Sequence, residues 1–287
     1  MKVFIDGNIM DGAAAKISVL DHGLLYGDGV FEGIRMYNGK VFKLREHVSR
    51  LFASAKAIML TIPMSETEME QAILETVRAE GQRDGYIRPI ITRGSGCLGI
   101  DPTSCSRATV IIIVDNIRLY PAELYEKGME VVSVATRRIS SDGLDPRIKS
   151  LNYLNNVLAK IEARRAGCHE AVMLNREGYV AECSADNIAI VRDGSLLTPA
   201  VQCGALDGIT MQTVLDLARL AGIPHQRAFL TRYDLYTADE CFLTGTGAEI
   251  MPVTMIDGRT IGDGVPGRIS ALLRAKFERF VREDLLH

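Results

Sequence analysis

The six cysteines, at positions 97, 105, 168, 183, 203 and 241, are scattered, and none form a C-x-x-C pair. That spacing argues against a zinc site and against a disulfide framework, so reduced thiols in a cytoplasmic protein are expected. Histidine is scarce too: there are five, without paired spacing, and a histidine-based metal site is unsupported. No apolar run approaches the roughly 20 residues that a membrane helix needs. The N-terminus, Met1-Lys2-Val3-Phe4-Ile5-Asp6-Gly7, breaks into a turn too early for a signal peptide. A basic surplus is also missing. Lys+Arg 33 less Asp+Glu 36 leaves a net charge of -3, which argues against a nucleic-acid or anionic-membrane partner. Repeats and low-complexity segments are absent.

What is present is a foldable chain. It has 287 residues, 47% hydrophobic and 24% charged, enough for two modest domains. Residues 2–6 and 29–37 read as strands, and Asn38-Gly39 as the hairpin turn that follows. Residues 44–59 carry Leu44, Val48, Leu51, Phe52 and Ile58 largely on one helical face. Ser65 and Glu68 form a capping box, opening a helix that Gly81 ends. Residues 86–92 and 108–114 are apolar and β-branched, as buried strands are. Pro121 and mixed polarity place a domain junction in 117–127. The division is therefore a small N-terminal domain 1–118, a linker 119–126 and a larger C-terminal domain 127–287. In the second half, strands alternate with helices over 153–166, 209–221 and 268–281. The pattern predicts an α+β protein with two sheets.

Gly94-Ser95-Gly96-Cys97-Leu98-Gly99 is a literal G-x-G-x-x-G after a strand. A dinucleotide site needs a helix to begin there, but Ile100-Asp101-Pro102 follows and predicts a turn. An active-site or interdomain loop is the better reading. Lys149 stands between a turn-rich loop, 142–146, and a helix. A lysine entering a buried element is costly unless it is paired or neutral, and a neutral amine is what imine chemistry uses. On spacing alone, an exposed junction lysine is the simpler reading. Ile209 and Thr210 open a helix behind Gly208, where free amides can hold an anion. Gly245-Thr246-Gly247-Ala248 puts two glycines around a hydroxyl after a strand. Arg50, on the 44–59 helix, is either a surface residue or a phosphate ligand. Glu182 ends a strand, and Arg88 lies inside one, where its guanidinium needs a partner such as a carboxylate.

In this order the motifs resemble those of the fold-type IV pyridoxal-phosphate (PLP) enzymes, specifically the branched-chain amino-acid aminotransferase group. The resemblance rests on the run Tyr26 to Arg35 (YGDGVFEGIR), on Arg45-Glu46-His47 with Arg50-Leu51, and on Tyr86-Ile87-Arg88-Pro89. It continues through Lys149 to Asn156 (KSLNYLNN), Gly208-Ile209-Thr210, and Thr244 to Ile250 (TGTGAEI). It implies a two-domain fold, with a small α/β domain and a larger β-barrel-like one. It also implies that Lys149 binds PLP covalently and moves the proton between substrate and cofactor. Glu182 would then face the pyridine nitrogen, and Tyr153 the phenolic oxygen. Arg50, Ile209, Thr210 and Thr246 would hold the phosphate. Tyr26, Phe31 and Tyr86 would line the side-chain pocket and Arg88 would meet a carboxylate. Gly247 and Ala248 would help hold the α-carboxylate. The implied assembly is a homodimer or a larger set of dimers.

The implied reaction transfers an amino group from leucine, isoleucine or valine to 2-oxoglutarate, in two stages with ping-pong kinetics. D-amino-acid aminotransferases, amine transaminases and aminodeoxychorismate lyases share the scaffold and are the near alternatives. An NAD-dependent oxidoreductase, resting on residues 94–99, or a non-catalytic binding protein is more remote. Cys183 and Ala185 stand where the family more often has glycine.

Overall fold

The structure, a computed structural model, describes residues 1–116 and 120–282. Backbone packing divides the chain into two units, Met1–Ile117 with Ile148–Asn152, and Arg118–Arg147 with Tyr153–His287. The first residues of the expected junction, 117–119, lie outside the described residues, and its later part is the helix Ala122–Lys127.

Among the described residues the first unit forms a seven-stranded antiparallel sheet. Its long strands, Gly85–Thr92 and Thr109–Asp115, pair from Tyr86↔Asp115 to Thr92↔Thr109. Their β-branched side chains suit a pleated surface. Ile87, Ile91, Val110 and Ile112 are fully buried among side chains of the helices Leu44–Ala57 and Glu66–Glu80. The second of those helices starts as its sequence demands. The Ser65 hydroxyl accepts the Glu68 N–H at 3.2 Å, and the Glu68 carboxylate accepts the Ser65 N–H at 2.7 Å. Asn38 and Gly39 both take positive φ, 52° and 81°, and join Tyr37 to Lys40 in a two-residue hairpin.

One expected strand breaks. Residues 29–37 form two short strands, Gly29–Phe31 and Ile34–Tyr37, interrupted at Glu32-Gly33. The cause is local. The Glu32 side chain is fully buried and committed to ionic partners described below. At Gly33 a Cβ would stand 2.0 Å from the Tyr86 hydroxyl, so a larger residue there would displace the Tyr86 side chain. The segment holding Lys149 is also more ordered than a junction loop. Phe31 N–H donates to the Lys149 carbonyl at 2.9 Å, Leu151 N–H to the Gly29 carbonyl at 2.9 Å, and Val30 bridges Ser150. Residues 148–152 thus run along the strand Gly29–Phe31 as an added edge.

The second unit holds a mixed sheet of nine strands among the described residues. The strand Met129–Ser133 lies parallel to both its neighbours, Glu170–Leu174 and Glu249–Ile256. The sheet curls toward closure: Val180 N–H, on one edge strand, donates at 2.7 Å to the carbonyl of Leu230, just past the other edge strand, His225–Ala228. This curl gives the half-barrel of the larger unit. Met129, Val131, Val172, Ile188, Leu243 and Met251 form part of its core.

Candidate active site

The first unit gathers Lys149, Phe31, Tyr86 and Arg88. The Lys149 main chain is pinned on both sides, by the Phe31 N–H and by its own N–H, which donates to the buried Ser54 hydroxyl at 3.3 Å. Its half-buried side chain puts Nζ 4.9 Å from the centre of the Phe31 ring. The Arg88 guanidinium lies 4.7 Å from the same ring centre and donates to the Tyr86 hydroxyl at 2.7 Å. Cation–π attraction holds both cations beside one aromatic surface. Tyr26 has a different partner: its hydroxyl accepts the Gly99 N–H at 2.9 Å and so ties down the glycine-rich loop. That loop opens no helix. It leads to a single 3-10 turn, Pro102–Ser104, so it lacks the helix start that a pyrophosphate would need.

Arg50 is held by a carboxylate. Its Nε and an Nη donate to Glu32 at 2.7 and 2.9 Å, a bidentate pair. The same carboxylate lies 2.8 Å from His47 Nδ1, and both Glu32 and His47 are fully buried. Burial alone would raise the Glu32 pKa, but the charges and hydrogen bonds of Arg50 and His47 outweigh it and hold the carboxyl well below its usual range. Burial pushes the His47 imidazole down, so a neutral ring donating from Nδ1 fits this site. Its Nε2 is buried without a hydrogen-bond partner among the described residues.

The second unit places Glu182 at the start of a glycine-flanked cradle. Glu182 is buried and pairs with Arg138 Nε at 2.8 Å. Leu206 N–H donates to its other oxygen at 2.9 Å, and the Asn187 amide at 3.4 Å. The helix Ile209–Leu220 begins at Gly208 with no side-chain cap, so the first-turn amides of Ile209 and Thr210 are presented without a capping side chain. A Cβ on Gly208 would stand 1.9 Å from Asn187 Oδ1, so any larger residue there would push the Asn187 amide aside. The strands Glu240–Gly245 and Glu249–Ile256 are joined by the three-residue turn Thr246-Gly247-Ala248, closed by Glu249 at φ 57°. Ala248 is buried, while Thr246 and Gly247 are half-buried. Tyr153, half-buried, precedes the helix Leu154–Arg165.

A carboxylate, an uncapped helix start and a glycine turn within one unit are what a phosphorylated, ring-nitrogen cofactor uses. The family model described as "Amino-transferase class IV" matches residues 29–256. The chain is a class IV aminotransferase. This aminotransferase is 49% identical over 97% of its length to 96% of a Methanocaldococcus jannaschii protein that carries the provisional name of branched-chain-amino-acid aminotransferase. It is 35% identical over 96% of its length to 91% of the branched-chain-amino-acid aminotransferase of Escherichia coli (strain K12). A solved structure, the holo form with PLP of the branched-chain amino acid aminotransferase from Thermobaculum terrenum, superposes with a TM-score of 0.89 at 32% identity. That match covers 98% of this chain and 93% of the other.

Three residues of the aminotransferase escaped the sequence reading: Glu32, Arg138 and Asn187. Each contacts a candidate site residue, Glu32 touching Arg50, and Arg138 and Asn187 touching Glu182, and no spacing in the sequence joins position 138 to 182, or 32 to 50. Tyr120 turns its hydroxyl inward to Glu170 and Asp186 of its own unit.

Proposed function

We propose that this aminotransferase uses PLP to move an amino group between a branched-chain L-amino acid and 2-oxoglutarate. The observation that carries it is the first unit's pairing of an amine and a guanidinium on one aromatic ring, Lys149 and Arg88 on Phe31. An apolar ring suits leucine, isoleucine or valine. A single arginine beside it suits the second carboxylate of glutamate. The cradle residues of the second unit fit PLP as well, since an uncapped helix start accepts a phosphate and a paired carboxylate accepts a protonated ring nitrogen.

When bound, PLP supplies an electron sink that lets the substrate α-carbon release its proton. Lys149 holds the cofactor and carries that proton. Glu182, steadied by Arg138 and Leu206, keeps a negative charge for the ring nitrogen. Arg50, aimed by Glu32, and the amides of Ile209 and Thr210 with Thr246 hold the phosphate. Tyr153 meets the phenolic oxygen. Tyr26, Phe31 and Tyr86 line the substrate side, and Gly247 and Ala248 hold the α-carboxylate. The protein works as a homodimer or an assembly of dimers. Helix Leu154–Arg165 supports this with Leu154, Val157, Leu158 and Ile161, an exposed apolar stripe at helical spacing. All six thiols are unbridged, which favours a cytoplasmic setting. Among the described residues no helix is long and apolar enough to cross a membrane.

The deciding measurement is the visible spectrum of the bound cofactor. L-Leucine is expected to change it and 2-oxoglutarate to restore it, with ping-pong steady-state kinetics. A response to D-alanine or to primary amines alone overturns the substrate assignment.

Arg88→Ala gives a finer check. It is expected to lower kcat/KM for glutamate about 30-fold, the equivalent of about 2 kcal/mol for a charged hydrogen bond. Leucine should change by no more than about threefold, because its side chain offers nothing to a guanidinium. Equal losses for both donors would show that Arg88 supports the pocket instead of reading a carboxylate.

A further inference from the structure

Behind Glu182, the second unit carries an ionic cluster that none of these roles uses. Glu170, on the strand Glu170–Leu174, and Asp186 are almost completely buried, at 0% and 4% exposure. The Tyr120 hydroxyl bridges them, 3.0 Å from Glu170 Oε2 and 2.9 Å from Asp186 Oδ2. Glu170 has donors in plenty. Lys160 Nζ reaches Oε2 at 2.7 Å, while Oε1 accepts the N–H groups of Ala171 at 2.7 Å and Ser184 at 3.0 Å, and the Ser184 hydroxyl. Asp186 is poor in them, and its Oδ1 is buried with no hydrogen-bond partner among the described residues.

These contacts limit where the protons can lie, and the many donors on Glu170 favour a proton on Asp186. A phenol has one proton to donate, so Tyr120 cannot serve two carboxylates at once. If Tyr120 donates to Glu170, its oxygen can accept only from a protonated Asp186 Oδ2. Both short O···O contacts then hold one proton each, and Oδ1 is left as a neutral carbonyl, the form least penalised by burial. Gly245 lies directly against that oxygen, since a Cβ there would stand 2.0 Å from Asp186 Oδ1. Asp186 therefore sits beneath the start of the Gly245–Ala248 turn. Its neighbour Asn187 donates to Glu182.

We propose that Glu170 and Asp186 hold a single proton between them through Tyr120, and that this proton keeps the ground beneath the Gly245–Ala248 turn neutral so that the turn can receive a phosphate. The inference rests on the PLP reading given above. The groups around Asp186 are Glu170 and, beside Tyr120, His169; Lys160 on the helix Leu154–Arg165; Glu182, with Arg138 beyond it; and Cys183, with Cys241 beyond it. Burial first, and then the Glu170 charge, push the Asp186 carboxyl up to about 7. The proton is thus present below neutrality and lost as pH rises through it, when a new buried anion opposes the phosphate.

The test uses the full chain freed of cofactor and titrated with PLP at pH 6 and pH 8.5, beside Asp186→Asn. Between those pH values the wild type is expected to lose about fivefold more affinity than the variant, the scale of one unscreened charge several ångströms away. Equal pH dependence in the two proteins overturns the proposal. Infrared spectra of the wild type with ¹³C-labelled aspartate give a second readout that needs no cofactor. A carboxylic-acid C=O band should be present at pH 6 and gone by pH 8.5, and its absence at pH 6 also overturns the proposal. Glu170→Gln removes the neighbouring charge and should move the midpoint of that band to lower pH, which keeps the test open even if Asp186→Asn fails to fold. A band that titrates while PLP binds at no pH would instead overturn the cofactor reading.

Discussion

Replacing Lys149 with alanine is expected to lower kcat for transamination by about a thousandfold or more, while the fold survives. The rate loss follows from removing the group proposed to carry the proton, since a positioned acid–base group is worth about 10²- to 10⁴-fold. Borohydride should then fail to fix PLP to the chain. The fold survives because the lysine is held by its main chain. Its carbonyl and N–H keep Phe31 and Ser54 whatever the side chain is, and the side chain itself is only half-buried. Unfolding free energies of wild type and variant, taken from denaturant titrations, should agree within about 0.5 kcal/mol, as for substitutions away from the core. A full half-reaction at the wild-type rate in Lys149→Ala would remove this residue from the mechanism.

Glu32→Ala is expected to have the largest effect on stability, a loss of about 3 kcal/mol or more. It strips a buried carboxylate from Arg50 and His47 and leaves a guanidinium 17% exposed without its bidentate partner. The same substitution should weaken PLP binding, because Arg50 loses the group that aims it. The pH dependence has a definite sign. The folded Glu32 carboxyl titrates below its ordinary value of 4.5, so its contribution is fully present above that value and is lost as pH falls below it. Acid unfolding of the wild type should therefore begin below about pH 4.5, and that part of the acid sensitivity should vanish in Glu32→Ala. Urea titrations of both proteins from pH 3 to 7 would show it. Unchanged stability at pH 7 would mean that the pair breaks even with its desolvation cost.

Features encoded by neighbours in the chain were legible. Ser65 with Glu68, Asn38-Gly39 and the uncapped Gly208-Ile209 start each lie within a few residues, where side-chain geometry and backbone preference agree. The ionic groups were not. Glu32 meets Arg50 across 18 positions and Arg138 meets Glu182 across 44, and only the folded sheet brings them together. Lys149 shows the limit most clearly. Its spacing suggested an exposed junction, yet residues 148–152 pair with a strand about 120 positions earlier. Periodicity has no term for such a pairing. The broken strand at Glu32-Gly33 is a similar case, since residues 29–37 read as one strand until the Tyr86 hydroxyl is seen to occupy the space of a side chain.

The return of residues 148–152 to the first unit has a consequence for synthesis. The strand Gly29–Phe31 leaves the ribosome early, but its edge partner comes after residue 147, once about 30 residues of the other unit have been made. At roughly 5–20 residues per second that is a delay of seconds, long compared with the formation of local helices and hairpins. During it the nascent N-terminal half exposes an unsatisfied strand edge carrying Val30 and Phe31, both buried in the finished protein. The arrival of the lysine segment closes that edge, so completion of the small sheet and delivery of the Lys149 amine are one event on the folding path.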